Sequence, residues 1–469
     1  MVTVKLADGQ SRQVMNSDWM IRSIRGLATI IMASLLLAGC AESTRPMATG
    51  NGNVRGINAI VTSPELIFLN EEQPIGNVNY RDVAGFKEWD DLTYNFNFDI
   101  LLPDTEQAER LATQFIDVQA DFEYTVVLTG TLANPSILFW EAEEKEWTGT
   151  ETVFEVDFVH LSPLLGQVDI YYAPTGTTPV SGNQIGTLSN GDHIPYMELE
   201  QGEYEIILTA PGDPLTIIFQ SGGIERTPAS RITIALFDTN PTITATVGVN
   251  IIFDDGASLG IFDVNSRPQL RLGHASYGGG NIDGYFDNDF ETVVFEDIGF
   301  LELSPFVDMS GITLPLDVTP TGDPGTILVE AEVQRVNNTR RSLIFWGLPG
   351  THSIRLLEHE ARPIEVFPFV RITNLSSNVG EIDIYVTDPE TVLDETVFPD
   401  FGNAISGVTT GFFAMPIGMQ DIVLTLPGEQ TTIGPIYSVD LTAGEVLDLI
   451  IVDTADPAAA EIRILDSIP

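Results

Sequence analysis

Val370-Arg371-Ile372-Thr373-Asn374-Leu375-Ser376 runs on into Ile382-Asp383-Ile384-Tyr385, with seven residues from the serine to the aspartate. Each half reads as a strand of apolar and β-branched residues, and the gap between them reads as a turn. The arrangement recurs. Gly273-His274-Ala275-Ser276 leads to Ile282-Asp283-Gly284-Tyr285, and Val159-His160-Leu161-Ser162 leads to Val168-Asp169-Ile170-Tyr171, at the same Ser-to-Asp spacing. Arg271 and Arg371 each stand three residues before the His274 or Asn374 position, while the second copy has Asp157 there. Arg55 and Asn58, followed by Leu66-Ile67-Phe68-Leu69, keep the outline of a further copy that has lost the serine and the aspartate. Repetition at this period marks a tandem array of one structural unit.

Later segments repeat too. Gly202 to Asp213 aligns without a gap with Gly418 to Glu429, both passing through an apolar strand into Pro-Gly and an acid. Arg231–Asp238 and Leu447–Asp453 are apolar strands ending in turns, and Thr326–Val329 is expected to pair with Leu343–Trp346. Copies one and three both carry Phe-Trp (Phe139-Trp140, Phe345-Trp346), and each is followed by a charged connector. This suggests two pairs, one-two and three-four, more than four equal units. Leu92–Leu102 alternates at period two, and Tyr124–Leu128 with Ile137–Trp140 reads as a hairpin. One helix is expected, over Glu106–Phe115, with Glu106 and Arg110 at i,i+4. The fold class is therefore all-β: four tandem antiparallel β-sandwiches of Greek-key type, with a barrel as the structural alternative. The expected boundaries are 54–152, 153–258, 259–365 and 366–469.

The repeat, through Leu270-Arg271 to Tyr285 and Val370-Arg371 to Tyr385, resembles the bacterial extracytoplasmic family named domain of unknown function 4397. Copy two is close to it and copy one divergent. The resemblance covers most of 54–469. It implies an immunoglobulin-like β-sandwich in a surface or periplasmic lipoprotein, and it implies no activity.

Ahead of the repeats lies Leu37-Ala38-Gly39-Cys40, which closes the apolar run Leu27–Leu37 behind Arg22 and Arg25. It resembles the lipobox of bacterial lipoproteins, so 1–39 is read as a signal peptide and Cys40 as the lipidated residue. The run is too short to span a bilayer. Met1–Asp18 is long for the cationic region of such a signal, which leaves Met15 or Met20 as alternative starts. Residues 40–53, small, polar and Gly/Pro-bearing, read as a flexible tether. Ala41 after Cys40, in place of an aspartate, resembles lipoproteins sorted to the outer membrane. Cys40 is the only cysteine. With it acylated, no disulfide, thiolate nucleophile or cysteine metal site is expected in the domains.

The chain has 21 basic and 67 acidic residues, a net charge of −46. That balance opposes nucleic acid and anionic lipid head groups, whose binding rests on Lys and Arg. Hydrophobic residues at 43%, arranged in strand-like runs, argue against disorder.

The repeated Ser162/Asp169, Ser276/Asp283 and Ser376/Asp383 are read as scaffold, since folds repeat and active sites are grafted locally. Gly256-Ala257-Ser258-Leu259-Gly260 fits the nucleophile-elbow pattern, but strand-like Ile261–Val264 follows where a helix is required, so a linker is expected. His160, His193, His274, His352 and His359 show no zinc spacing. Asp254, Asp255, Asp287 and Asp289 are weak calcium candidates outside any EF-hand pattern, and no other cofactor is expected. Trp140 and Trp346 are expected in core or inter-domain contacts, over a role in sugar stacking.

The expectation is thus a non-enzymatic, lipid-anchored structural or binding module of the cell envelope. It would be held at the outer membrane through Cys40, with copy one nearest the anchor and copies two to four projecting from it. A carbohydrate- or polymer-binding surface protein is the alternative, and a hydrolase comes third. A protein or polysaccharide is the possible partner, and nucleic acid is not.

Overall fold

Every copy of the repeat folds into two facing sheets built from the same eight strands in the same order. The computed structural model describes residues 47–102, 108–240, 244–359 and 361–468. Cys40 and the signal segment 1–39 lie outside the described residues. In sandwich 1 the strands are β1 (Asn51–Asn58), β2 (Leu66–Asn70), β3 (Gln73–Val78), β4 (Val83–Asp90), β5 (Thr93–Leu101), β6 (Ala108–Asp117), β7 (Phe122–Gly130) and β8 (Pro135–Glu143). One sheet has the order β4-β1-β7-β8 and the other β3-β2-β5-β6. The β1–β7 pair is parallel, and so are its equivalents Val153–His160 with Arg231–Phe237, Gln269–His274 with Arg340–Trp346, and Phe369–Asn374 with Val446–Asp453. Sandwich 2 adds Ile224–Arg226 and Ser258–Ile261 at its margins. The fold is therefore four tandem β-sandwiches, and among the described residues no helix forms. The first strand lies between the fourth and the seventh, whereas the constant immunoglobulin domain has A-B-E-D and C-F-G sheets.

The sandwiches join in pairs through the sheets that hold the first and seventh strands. On β1 and β7, Val54, Val126 and Leu128 face the core of sandwich 1, while Ile57 and Val127 face sandwich 2. There they meet Val159, Leu161, Ala235, Phe237 and Ile252. Sandwiches 3 and 4 join likewise through Ala275, Ile344, Trp346, Leu357, Leu375, Ile450, Val452 and Leu465. Strands buried on both faces show no polar alternation. That is why Leu447-Asp448-Leu449-Ile450-Ile451-Val452 is an almost unbroken apolar run. Each Val, Leu, Ile or Phe side chain so buried contributes about 1.5–3 kcal/mol relative to exposure.

The one-two and three-four pairing suggested by the Phe-Trp motifs is what the structure has, although the two motifs are not equivalent. Trp140 lies on β8 and stacks on His193 of sandwich 2 at 4.8 Å, whereas Trp346 ends the seventh strand of sandwich 3. Both reach a joint.

Four expectations are corrected. Ala108–Asp117 is strand β6, paired along β5, and not a helix. Its Arg110 reaches Asp99 across the ladder, Nε to Oδ1 2.9 Å, and the carboxylate on β5 takes the place assigned to Glu106, which lies outside the described residues. Thr326–Val329 does not pair with Leu343–Trp346. Val329–Gln334 lies in the other sheet, and Arg340–Trp346 returns on Ser353–Glu358 instead, through a turn at Gly347 and Gly350. The Gly256–Gly260 segment is not a linker, because Ser258–Ile261 extends the sheet of sandwich 2 by pairing with Gly248–Phe253. Lastly, copies two to four do not simply project away from copy one. From Thr49 onward the chain forms one compact unit. The connector into sandwich 4 packs on sandwich 1, where Arg362 Nη1 donates to Val61 O (2.7 Å) and Ser63 O (2.6 Å), and Glu365 N–H to Thr62 O (2.9 Å). Val366 joins the core of sandwich 1.

Candidate functional site

The repeated polar residues clamp turns. His274 Nδ1 accepts the Ser276 N–H (3.1 Å) and its Nε2 lies 3.0 Å from Gly280 O. His160 does the same with Ser162 N–H and Gly166 O. Asn374 Oδ1 accepts the Ser376 N–H (3.0 Å), and its Nδ2 donates to Gly380 O (2.8 Å). Histidine and asparagine are interchangeable here because each offers an acceptor and a donor at similar reach. Burial pushes the pKa of His160 and His274 down, which keeps each ring neutral for this role.

The serines finish the clamp. Ser376 Oγ donates to Asp453 Oδ1 (2.7 Å), which also accepts the Asn378 N–H, while Ser162 pairs with Asp238 and Ser276 with Gly347 O. The recurring aspartates hold two loops at once. Asp283 accepts the N–H groups of Asp297 (2.8 Å) and Gly322 (2.9 Å), and Asp383 those of Asn403 (2.7 Å) and Gly428 (2.9 Å). Asp169 accepts from Thr187 Oγ1 and from the Gly212 N–H (2.7 Å). Gly212, Gly322 and Gly428 all have φ between 72° and 74°, so a glycine at the turn presents its N–H to the acid.

The calcium candidates do not converge. Asp287 and Asp289 are exposed in a turn of sandwich 3, and Asp255 is exposed in sandwich 2. Asp254 points instead into the joint with sandwich 1. Among the described residues no group of three or more His, Cys, Asp or Glu is placed to hold a metal. Ser258 accepts from Asn250 Nδ2 (2.8 Å) and donates to Arg81 O (3.2 Å), so its hydroxyl serves the joint.

A serine–histidine pair that sequence spacing did not expose lies in the joint between sandwiches 3 and 4. Ser342 Oγ is 2.7 Å from His359 Nε2 and accepts from Arg271 Nε at 2.7 Å. Burial first, then Arg271, brings His359 down to a pKa of about 4. Beside it Arg371 grips Asp448 through two bonds of 2.5 and 2.8 Å, and Arg271 pairs with Asp466. Ser342 is fully buried, and the adjoining cavity of about 10 Å³ has room for no more than about one water. No acyl group fits there.

A larger cleft opens where the connector meets sandwich 1. Its volume is about 570 Å³, within the range of ligand sites. It is lined by the aromatic Phe367, Phe369 and Phe412 and by the polar Glu65, Asn79 and Arg362. Phe367 and Phe369 meet edge to face at 5.1 Å. Asn77 and Asn79 hold the Glu65 carboxylate at 2.7 and 3.1 Å, fixing its orientation. Burial brings the Arg362 pKa to about 10, and its guanidinium stacks on Tyr80 at 5.3 Å. No sequence motif announces this cleft, because its walls come from segments some three hundred residues apart.

No curated protein sequence matches the chain. Among solved structures, the Bacillus anthracis TIE protein aligns at 10% identity and a TM-score of 0.16, covering 86% of this chain and 69% of that one. A multi-modular glycogen-degrading pneumococcal virulence factor, SpuA, aligns at 9% identity and a TM-score of 0.15, covering 82% of this chain and 37% of its own. Neither likeness carries a structural argument. Among the described residues no helix is long and apolar enough to cross a membrane. The family model described as Domain of unknown function (DUF4397) matches residues 52–171, which hold nearly all of sandwich 1, the first strand of sandwich 2 and the start of its second. The match thus falls on the copy that reads as most divergent. Residues 52–171, about a quarter of the chain, are thus similar to the family described as Domain of unknown function (DUF4397).

Proposed function

We propose that the chain is a non-enzymatic, lipid-anchored module of the cell envelope, held at the outer membrane through Cys40 and presenting a rigid body of two sandwich pairs. One observation carries the non-enzymatic part: the recurring side chains are taken up by scaffold bonds, His/Asn to the backbone of their own turn, Asp to the N–H groups of neighbouring loops, and Ser to an aspartate or a backbone carbonyl of the seventh-strand end. Support for the anchor is the lipobox-like Leu37-Ala38-Gly39-Cys40, followed by a small, polar stretch ahead of β1, which begins at Asn51. Replacing Cys40 by Ala should move the protein from the detergent-extracted membrane fraction to the soluble fraction, or leave it unprocessed. Unchanged membrane fractionation would refute the anchor.

The cleft favours a second reading, in which the module binds a neutral saccharide. Aromatic faces combined with planar Glu, Asn and Arg groups suit the apolar faces and hydroxyls of a sugar. A net charge of −46 disfavours anionic polymers. Neutral hexasaccharides of glucose and N-acetylglucosamine, titrated calorimetrically, should bind, and Phe369→Ala should weaken binding about tenfold or more. Absence of heat with every probe, or unaltered affinity in the variant, would refute it.

A further inference from the structure

The joint between sandwiches 1 and 2 encloses more acid than its cations match. From sandwich 1 come Arg55 and Glu123, and from the connector comes Lys145. Sandwich 2 supplies Glu155, Asp157, His193, Tyr196, Arg231 and Asp254, with Glu144 and Glu198 at the rim. Arg231 satisfies Glu123 (2.7 Å) and Glu155 (2.6 Å), and Lys145 reaches Glu155 at 3.0 Å. Arg55 donates to Thr125 of its own sandwich and to Thr233 across the joint, and stacks on Phe86 at 4.6 Å. Asp157 holds His193 at 2.8 Å through one oxygen. Three buried atoms then lack a protein partner: Arg55 Nη1, Asp157 Oδ1 and Asp254 Oδ1.

Asp254 is partly buried, with its Oδ1 shielded from solvent. Its turn passes so close to β4 that a Cβ on Gly256 would lie 2.5 Å from Gly85 Cα. Four carboxylates (Glu123, Glu155, Asp157, Asp254) face the guanidiniums of Arg55 and Arg231, while Lys145 at the rim is shared between Glu155 and Glu198, so a proton on Asp254 lessens an excess of negative charge. Loss of that proton adds negative charge to a space water reaches poorly.

We infer that this joint is a proton-operated clasp, closed while Asp254 is protonated and loosened when it ionises, so that sandwiches 1 and 2 dock more tightly in mildly acidic than in mildly alkaline medium. Burial first, then Glu123, raises the Asp254 pKa to about 7, which sets the transition near neutrality. The sign follows from linkage. A carboxyl whose docked pKa lies above its free value binds more protons when docked, so docking weakens as pH rises from the free pKa through the docked one.

Amide hydrogen exchange of the full chain, corrected for intrinsic rates, tests this. Between pH ~5.5 and ~8.5, protection of Val83–Asp90 and Gly248–Phe253 should fall about tenfold or more. Asp254→Asn should abolish that fall, and Asp255→Asn, altering an exposed neighbour, should retain it. Glu123→Gln should move the transition to lower pH. Protection that stays level in the wild type, or falls equally in Asp254→Asn, would overturn the clasp.

Discussion

Asp383→Ala isolates the structural role of the repeat. The side chain is 4% exposed and accepts two backbone N–H groups, from Asn403 at 2.7 Å and Gly428 at 2.9 Å. Hydrogen bonds to a charged group contribute about 1.5–3 kcal/mol each, and alanine leaves both donors without an acceptor. Removing the carboxylate also removes its own desolvation cost, so the net loss expected in sandwich 4 is about 2–4 kcal/mol. A chain of four sandwiches does not unfold in two states, so a single melting temperature is the wrong readout. Exchange of the Gly428 and Asn403 amides reads the turn directly, and it should quicken by roughly thirtyfold to several-hundredfold. Asp283→Ala should do the same to Gly322 in sandwich 3. Sandwich 1 folds with Ile67 at the matching position, so its turn is held by other means. Unaltered protection at Gly428 in Asp383→Ala would refute the clamp and return the aspartates to the list of functional candidates.

Three further outcomes are expected. Arg371→Met alone should destabilise the joint of sandwiches 3 and 4 by about 3–5 kcal/mol, because Asp448 is left buried and unpaired, and adding Asp448→Leu should restore much of it. Chemical denaturation of the two variants, followed by exchange in Phe369–Asn374, decides this. His359, with a folded pKa of about 4 against an ordinary value near 6.5, should cost the same joint stability as pH falls through that window, by up to about 3 kcal/mol. His359→Gln should flatten the acid limb of a pH–stability curve. Trp346→Ala should loosen that joint by about 2–3 kcal/mol and raise cleavage by a nonspecific protease near Gly347–Gly350, while leaving exchange in sandwich 1 unchanged.

Much of the fold was legible because the repeat ties sequence to backbone. Ser-to-Asp spacing survives only if the same turn is clamped in each copy, and the structure shows Ser376–Asp453 and Asp383–Gly428 holding it. The pairing of sandwiches was legible from Trp140 and Trp346, even though they sit on different strands. Asp157 was legible only as an exception. Structure explains it, since Arg231 of the seventh strand places its guanidinium over Tyr196 at 4.2 Å, as Arg271 does over Phe306 and Arg371 over Phe412. The Glu106–Phe115 helix failed because an i,i+4 charge pair is a weak local signal, and the ladder offered by β5 outweighs it. The cleft could not be read, since Glu65 and Phe369 meet only after the connector folds back on sandwich 1.

The most direct test of the account is the intact mass of the mature protein extracted from envelopes with detergent. A chain beginning at Cys40 and carrying diacylglycerol, with or without a further acyl chain, is the predicted result. A water-soluble chain that retains residues 1–39, or that carries an unmodified Cys40, would contradict it.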